Sequence, residues 1–97
     1  MDKNAALDAV LDVTRKTHSE AGFLELNIEP ATPLVGSDAA LDSMSLVQLC
    51  LSLEDKASDI GFTFDWTSDA ALSKSKGMYR SVEALAEEFY AQYTNQK

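Results

Sequence analysis

The group in this chain best placed to do chemistry is a serine hydroxyl at the head of a long apolar helix. Ser43 lies between Asp42 and Met44 and is followed at once by Ser45-Leu46-Val47-Gln48-Leu49-Cys50-Leu51-Ser52-Leu53-Glu54. This order puts the hydroxyl in the first turn of the helix. A phosphate ester there would sit beside unpaired backbone N–H groups and the positive end of the helix dipole. By itself, Asp-Ser ahead of an apolar run is a helix cap. Ser43 has no histidine or lysine near it in sequence to act as a base, and the sole histidine, His18, belongs to the first helical stretch. Catalysis by the chain itself is therefore not expected. His18 also lacks a cysteine or histidine companion, so no metal site is expected, and there is no Gly-rich phosphate loop.

The elements that must position Ser43 are helical. Residues 3–18 carry Leu7, Val10, Leu11, Thr14 and His18 at helical spacing, with Asp8, Asp12, Arg15 and Lys16 off that stripe. Gly22 marks the expected end. A long connection over residues 19–41 follows, with Gly22, Pro30, Pro33 and Gly36 and alternating Leu24, Leu26 and Ile28. Its apolar residues predict packing across the helices. The second helix is predicted from Ser43 to Ala57, capped by Asp42 or Ser43. Its side chains sort into three arcs. Leu46, Leu49, Cys50 and Leu53 form one apolar face, and Ser45, Gln48, Ser52 and Asp55 form a polar stripe. Met44, Val47 and Leu51 form a second apolar face, which calls either for burial deep in a bundle or for a partner.

Ile60, Phe62, Phe64 and Trp66 alternate like a strand. With no second strand to pair, an extended segment plugging the helices is the reading. Thr67, Ser68 or Asp69 caps a short third helix through Ala70, Ala71 and Leu72, and Ser73 to Gly77 reads as a basic loop carrying Lys74 and Lys76. The last helix, Ser81 to Tyr93, shows a stripe at Val82, Leu85, Ala86, Phe89, Tyr90 and Tyr93, with Ser81 as its cap and fraying from Thr94.

Bulk properties bound the partners. The 97 residues suit a single domain, 1–97, with one modest core. Eight basic against sixteen acidic side chains give a net charge of −8, which argues against nucleic acid and anionic membrane surfaces. The lone cysteine, Cys50, rules out an internal disulfide and makes the cytoplasm the expected compartment. Cys50 faces inward and reads as a small apolar filler. Neither an export signal nor a membrane-inserting run is evident.

Helix, long loop, Asp-Ser-apolar helix, short helix and final helix is an order that resembles the acyl carrier proteins over nearly the whole chain. The most specific match is Asp42-Ser43-Met44 against that family's Asp-Ser-Leu, with Leu46, Val47, Leu49, Cys50, Leu51, Leu53 and Glu54 matching its second helix. The resemblance implies an all-α, four-helix acyl-carrier-like bundle with a long first loop and a short third helix. It implies that Ser43 bears a 4′-phosphopantetheine arm holding an acyl group as a thioester, and that Asp42 assists the transferase's magnesium. It implies that Met44, Val47 and Leu51 meet partner enzymes. Those partners would be a phosphopantetheinyl transferase, an acyl-activating ligase or acyltransferase, and downstream acyl-using enzymes, served by a monomeric carrier.

Departures from the family pattern point away from general fatty-acid synthesis and toward a specialised pathway. Ala40 stands where a glycine is common, Ser45 and Gln48 stand where many fatty-acid carriers have acids, and the Ser73–Tyr79 stretch is longer and basic. Two other readings stay open. One is an aminoacyl or peptidyl carrier, and the other is an unmodified helical adaptor that binds through Met44, Val47 and Leu51.

Overall fold

A computed structural model describes the backbone of residues 1–20, 29–34 and 43–96, and the side chains of these except residues 19, 20, 43, 70, 72 and 74–76. Within that range the chain is all-α, with no strand. Three long helices, α1 (Lys3–Glu20), α2 (Ser43–Ile60) and α4 (Val82–Asn95), accompany the ten-residue α3 (Asp69–Met78). α1 packs on α4 and α2, and α3 packs on α4. No helix among the described residues is long and apolar enough to cross a membrane.

α1, α3 and α4 begin where their sequences supply a partner for their first N–H groups. Asp2 Oδ1 accepts from Ala5 N at 2.8 Å and so caps α1. Four of the five predicted stripe residues are buried: Val10 and Thr14 fully, and Leu11 and His18 nearly so; Leu7 is partly buried against the core, and Ala6 and Thr17 join the buried face. The hydroxyls of Thr14 and Thr17 donate to Val10 O and Val13 O, so neither enters the interior without a partner. Gly22 and the apolar Leu24, Leu26 and Ile28 lie outside the described residues.

The described part of the long connection, residues 29–34, does pack across the helices. Leu34 is buried in the core, worth about 2 kcal/mol for an aliphatic side chain of its size. The same segment completes the start of α4. Val82 N donates to Thr32 O (3.0 Å), Glu83 N to Pro30 O (2.8 Å), Ala84 N to Ser81 Oγ (3.1 Å) and Leu85 N to Ser81 O (3.1 Å). Ser81 is therefore the cap that the sequence predicts, and the loop serves the two N–H groups that a serine side chain does not.

α2 runs one turn beyond the predicted Ala57, to Ile60. The helix stops at Gly61, whose φ of +109° reverses the chain, and the N–H groups of Gly61 and Phe62 both return to Ala57 O at 2.8 and 2.9 Å. A side chain at residue 61 would meet no atom within 4 Å, so its cost is purely conformational. Gly61→Ala is expected to destabilise the fold by about 1–2 kcal/mol, read as a lower urea midpoint with an unchanged slope. An unchanged midpoint would show that the reversal is not needed.

The segment after Gly61 is extended and plugs the helices, as its alternation suggests. Phe62 and Phe64 are buried. Phe62 meets Phe89 edge-on at 5.0 Å and Tyr93 at 5.5 Å, and Phe64 meets Phe89 at 5.3 Å. Gln92 of α4 and Gln96, the residue that caps its end, stand in for the missing neighbouring strand. Gln92 accepts from Asp65 N (2.6 Å) and donates to Asp65 O (2.7 Å), and Gln96 does the same for Thr63 (2.9 and 2.7 Å). α4 consequently stays helical to Asn95, where fraying from Thr94 was expected.

The stretch Ser73–Gly77 is helix, not the basic loop read from its composition. Ala71 and Met78, two turns apart, are both buried, and a helix carries both to the same side. Gly77 needs no left-handed backbone and interrupts nothing. Ser68 provides the cap, accepting from Ala71 N at 3.2 Å, and Asp65 in turn accepts from Ser68 N and Ser68 Oγ.

Candidate functional site

Ser43 is the first residue of α2. The first turn it opens contains no acidic side chain. Asp42 and the position of Ala40 lie outside the described residues.

The two apolar faces of α2 separate as the periodicity sorts them. Leu49, Cys50 and Leu53 are buried in the core together with Ala57, and Leu46 is half-buried against it. Met44, Val47 and Leu51 are the large hydrophobic side chains left exposed among the described residues, at 73 %, 45 % and 49 %. Of the two alternatives, depth in a bundle or a strip turned outward, the structure gives the second. One position of the polar stripe is misplaced. Ser45 is buried, one turn ahead of Leu49 on the inward side, whereas Gln48 and Asp55 are exposed.

Two contacts fix the flank of α2 that adjoins this ridge. Cys50 Sγ lies 3.3 Å from the Tyr79 hydroxyl, tying the middle of α2 to the residue that follows α3. Further along, Trp66 Nε1 donates to Glu54 Oε1 and holds that carboxylate in place. Both contacts escaped the sequence reading. Periodicity assigns a face to Cys50 and Glu54, but it does not say which distant residue will meet them.

Cys50 fills the core as expected, and it is a poor nucleophile. Burial pushes its thiol above the ordinary value of 9.0, the Tyr79 hydrogen bond pulls it partly back, and the charge of Glu54 adds to the rise. Burial, followed by the bond to Cys50, likewise pushes the Tyr79 phenol above its ordinary 10.0. The folded protein thus keeps both groups neutral at pH values where the unfolded chain ionises them. The stability they contribute is whole below about pH 9 and drains away as pH rises through the unfolded and then the folded values. Urea midpoints at pH 7.5 and 10.5 are expected to fall further apart for the wild type than for Cys50→Ala/Tyr79→Phe. Equal falls would remove this pair from the alkaline response.

His18 is buried in α1, far along the chain from Ser43. Among the described residues no group of three or more histidine, cysteine or acidic side chains is gathered in a way that could hold a metal. The grooves between helices are open and of mixed polarity, for example the α1–α2 groove lined by Asp8, Asp12, Arg15 and Lys56. The structure therefore brings together one serine at a helix start and one exposed apolar ridge running from it. Comparison of the chain with family models, curated proteins and solved structures gave no match.

Proposed function

We propose that this chain is an acyl carrier protein, a four-helix acyl-carrier-like domain with a long first loop and a short third helix, which bears a 4′-phosphopantetheine arm on Ser43. The observation that carries this reading is the exposed Met44–Val47–Leu51 ridge, which begins one residue after a serine at the head of α2. An apolar ridge facing water calls for a partner, and a hydroxyl at its head puts whatever it bears at the edge of the contact.

The residues present suit the arm. Ser43 would hold its phosphodiester, favoured by the helix dipole and by a first turn free of acidic side chains. The bound arm would supply a thiol that holds an acyl group as a thioester. The chain's own part is to present and to dock. α2 is fixed in the core by Leu49, Leu53 and Ala57, so Ser43 begins a rigid element, and the ridge would orient that helix start toward each enzyme in turn. Asp42 would assist the magnesium of the phosphopantetheinyl transferase during attachment. Loading would fall to an acyl-activating ligase or acyltransferase, and delivery to downstream acyl-using enzymes, so the chain itself would not be an enzyme. We place this carrier in the cytoplasm, as a monomer, serving a specialised pathway, on the residues that depart from the fatty-acid carriers. An aminoacyl or peptidyl load would use the same serine and the same ridge.

Incubation with coenzyme A, magnesium and a broad-specificity phosphopantetheinyl transferase tests the reading. The expected result is a gain of one phosphopantetheine in intact mass. The exposed ridge also favours a second reading, an adaptor that is never modified. That reading requires no mass gain with several transferases, together with a partner whose binding is lost on Val47→Asp and indifferent to Ser43→Ala.

A further inference from the structure

α3 is the helix least able to stand alone. It has ten residues, and Ser73, Ser75 and Gly77 among them are weak helix formers. A helix of that length is not stable in water without outside support. Among its described side chains, Ala71 and Met78 alone are buried, whereas α1, α2 and α4 are each held by several fully buried ones.

The support for its first turn arrives at second hand. Ser68 Oγ accepts from Ala71 N in an orientation set by Asp65, whose carboxylate accepts from Ser68 N at 3.1 Å and from Ser68 Oγ. With its proton committed to Asp65, the hydroxyl turns a lone pair toward the helix. Asp65 is placed in turn by Gln92 of α4. The Gln92 amide holds both backbone groups of Asp65 and also donates to Glu88 Oε2 at 2.8 Å. A relay thus runs from Glu88 and Gln92 through Asp65 and Ser68 to Ala71, linking the second half of α4 to the start of α3.

The two ends of α3 are pinned whether or not it is helical. Before it, Trp66 donates to Glu54 of α2. After it, the Tyr79 hydroxyl meets Cys50 of α2, and Tyr79 O accepts from Leu34 N at 3.2 Å. Ten residues span about 15 Å as a helix and can bridge the same gap as coil with slack.

We infer that α3 is a conditional helix, which melts and re-forms as one unit between fixed ends while α1, α2 and α4 stay folded. Gln92 sets the balance through Asp65 and Ser68. In the closed state Ala71 and Met78 are buried against the bundle. In the open state they leave it, and the surface of α4 on which α3 packs is uncovered with the rest of the fold intact. The switch does not depend on what Ser43 bears.

Hydrogen exchange of the unmodified full chain, read by mass spectrometry of its peptides, tests this. In the wild type, residues 69–78 are expected to exchange faster than the buried parts of the other helices. Low urea should leave that rate unchanged, the sign of an opening smaller than global unfolding. Gln92→Ala puts the best helix former into α4, so it cuts the relay without weakening that helix's own propensity. Gln92→Ala and Ser68→Ala are each expected to speed α3 exchange about fivefold relative to the other helices, the scale of a lost cap. Together they should do about as much as either alone, because both cut the same relay. Gln96→Ala removes the equivalent clamp on Thr63, which does not lead to Ser68, and should leave that ratio unchanged.

The inference is overturned if wild-type α3 exchanges only at the global rate, or if Gln92→Ala speeds all four helices equally. It is also overturned if the effects of Gln92→Ala and Ser68→Ala multiply, or if Gln96→Ala matches Gln92→Ala.

Discussion

Phe89→Ala is expected to cost this protein a large share of its stability. Phe89 is fully buried and is the ring on which the extended segment closes, touching Phe62 at 5.0 Å and Phe64 at 5.3 Å. Its loss deletes a large apolar volume and removes the ring that Phe62 and Phe64 both pack against, a change that costs about 3–5 kcal/mol in well-packed cores. Domains of this size hold about 5–15 kcal/mol in total. A melting temperature lower by about 15 °C or more is the expected reading. Leu51→Ala provides the contrast. It removes a large hydrophobic side chain from an exposed position and should change stability by under about 0.5 kcal/mol. Comparable losses at the two positions would mean that the ridge belongs to the core and is not turned toward a partner.

The second large effect is on function alone. Ser43→Ala is expected to abolish acceptance of the arm while costing at most about 1 kcal/mol, the ordinary scale for a hydroxyl at a helix start. The separation follows from the architecture. α2 is anchored by Leu49, Cys50, Leu53 and Ala57, from two turns after Ser43 onward, so the head of the helix can lose a hydroxyl without disturbing what holds it. A variant with native melting behaviour that still gained phosphopantetheine would move the attachment elsewhere.

The sequence made some of this architecture legible and concealed the rest, for physical reasons that differ by residue. Periodicity reported the faces of α1, α2 and α4 because a helix in a small core must bury one stripe, and Val10, Leu49, Leu53, Leu85 and Phe89 are where that stripe falls. The outward Met44, Val47 and Leu51 were legible as a surplus face, since one core can take only one. Ser45 was not legible. A small side chain one turn ahead of Leu49 can go inward provided its oxygen is satisfied, and polarity alone does not tell that case from a solvated serine.

The start of α3 was legible, and its second half was missed for the opposite reason. Ser, Lys and Gly in Ser73–Gly77 look like a loop until buried Met78 is seen to require two helical turns from Ala71. Tertiary demand overrode local propensity there. The glutamine clamps on Thr63 and Asp65 lie beyond any local pattern. Gln92 and Gln96 are ordinary exposed-face residues in sequence, and they become a substitute strand only because Phe62 and Phe64 bring the extended backbone alongside them. The candidate site was legible as a residue and a face. Its Cys50–Tyr79 and Glu54–Trp66 contacts were not, because each joins α2 to a residue more than ten positions away.

The most direct measurement is fragment mass mapping of the wild-type protein after treatment with coenzyme A, magnesium and a phosphopantetheinyl transferase. The account predicts one phosphopantetheine on the fragment that contains residues 42–44, assigned by further fragmentation to Ser43, with Ser45 and Ser52 untouched. An arm on either of those neighbours, or an unmodified chain after treatment with several active transferases, would contradict it.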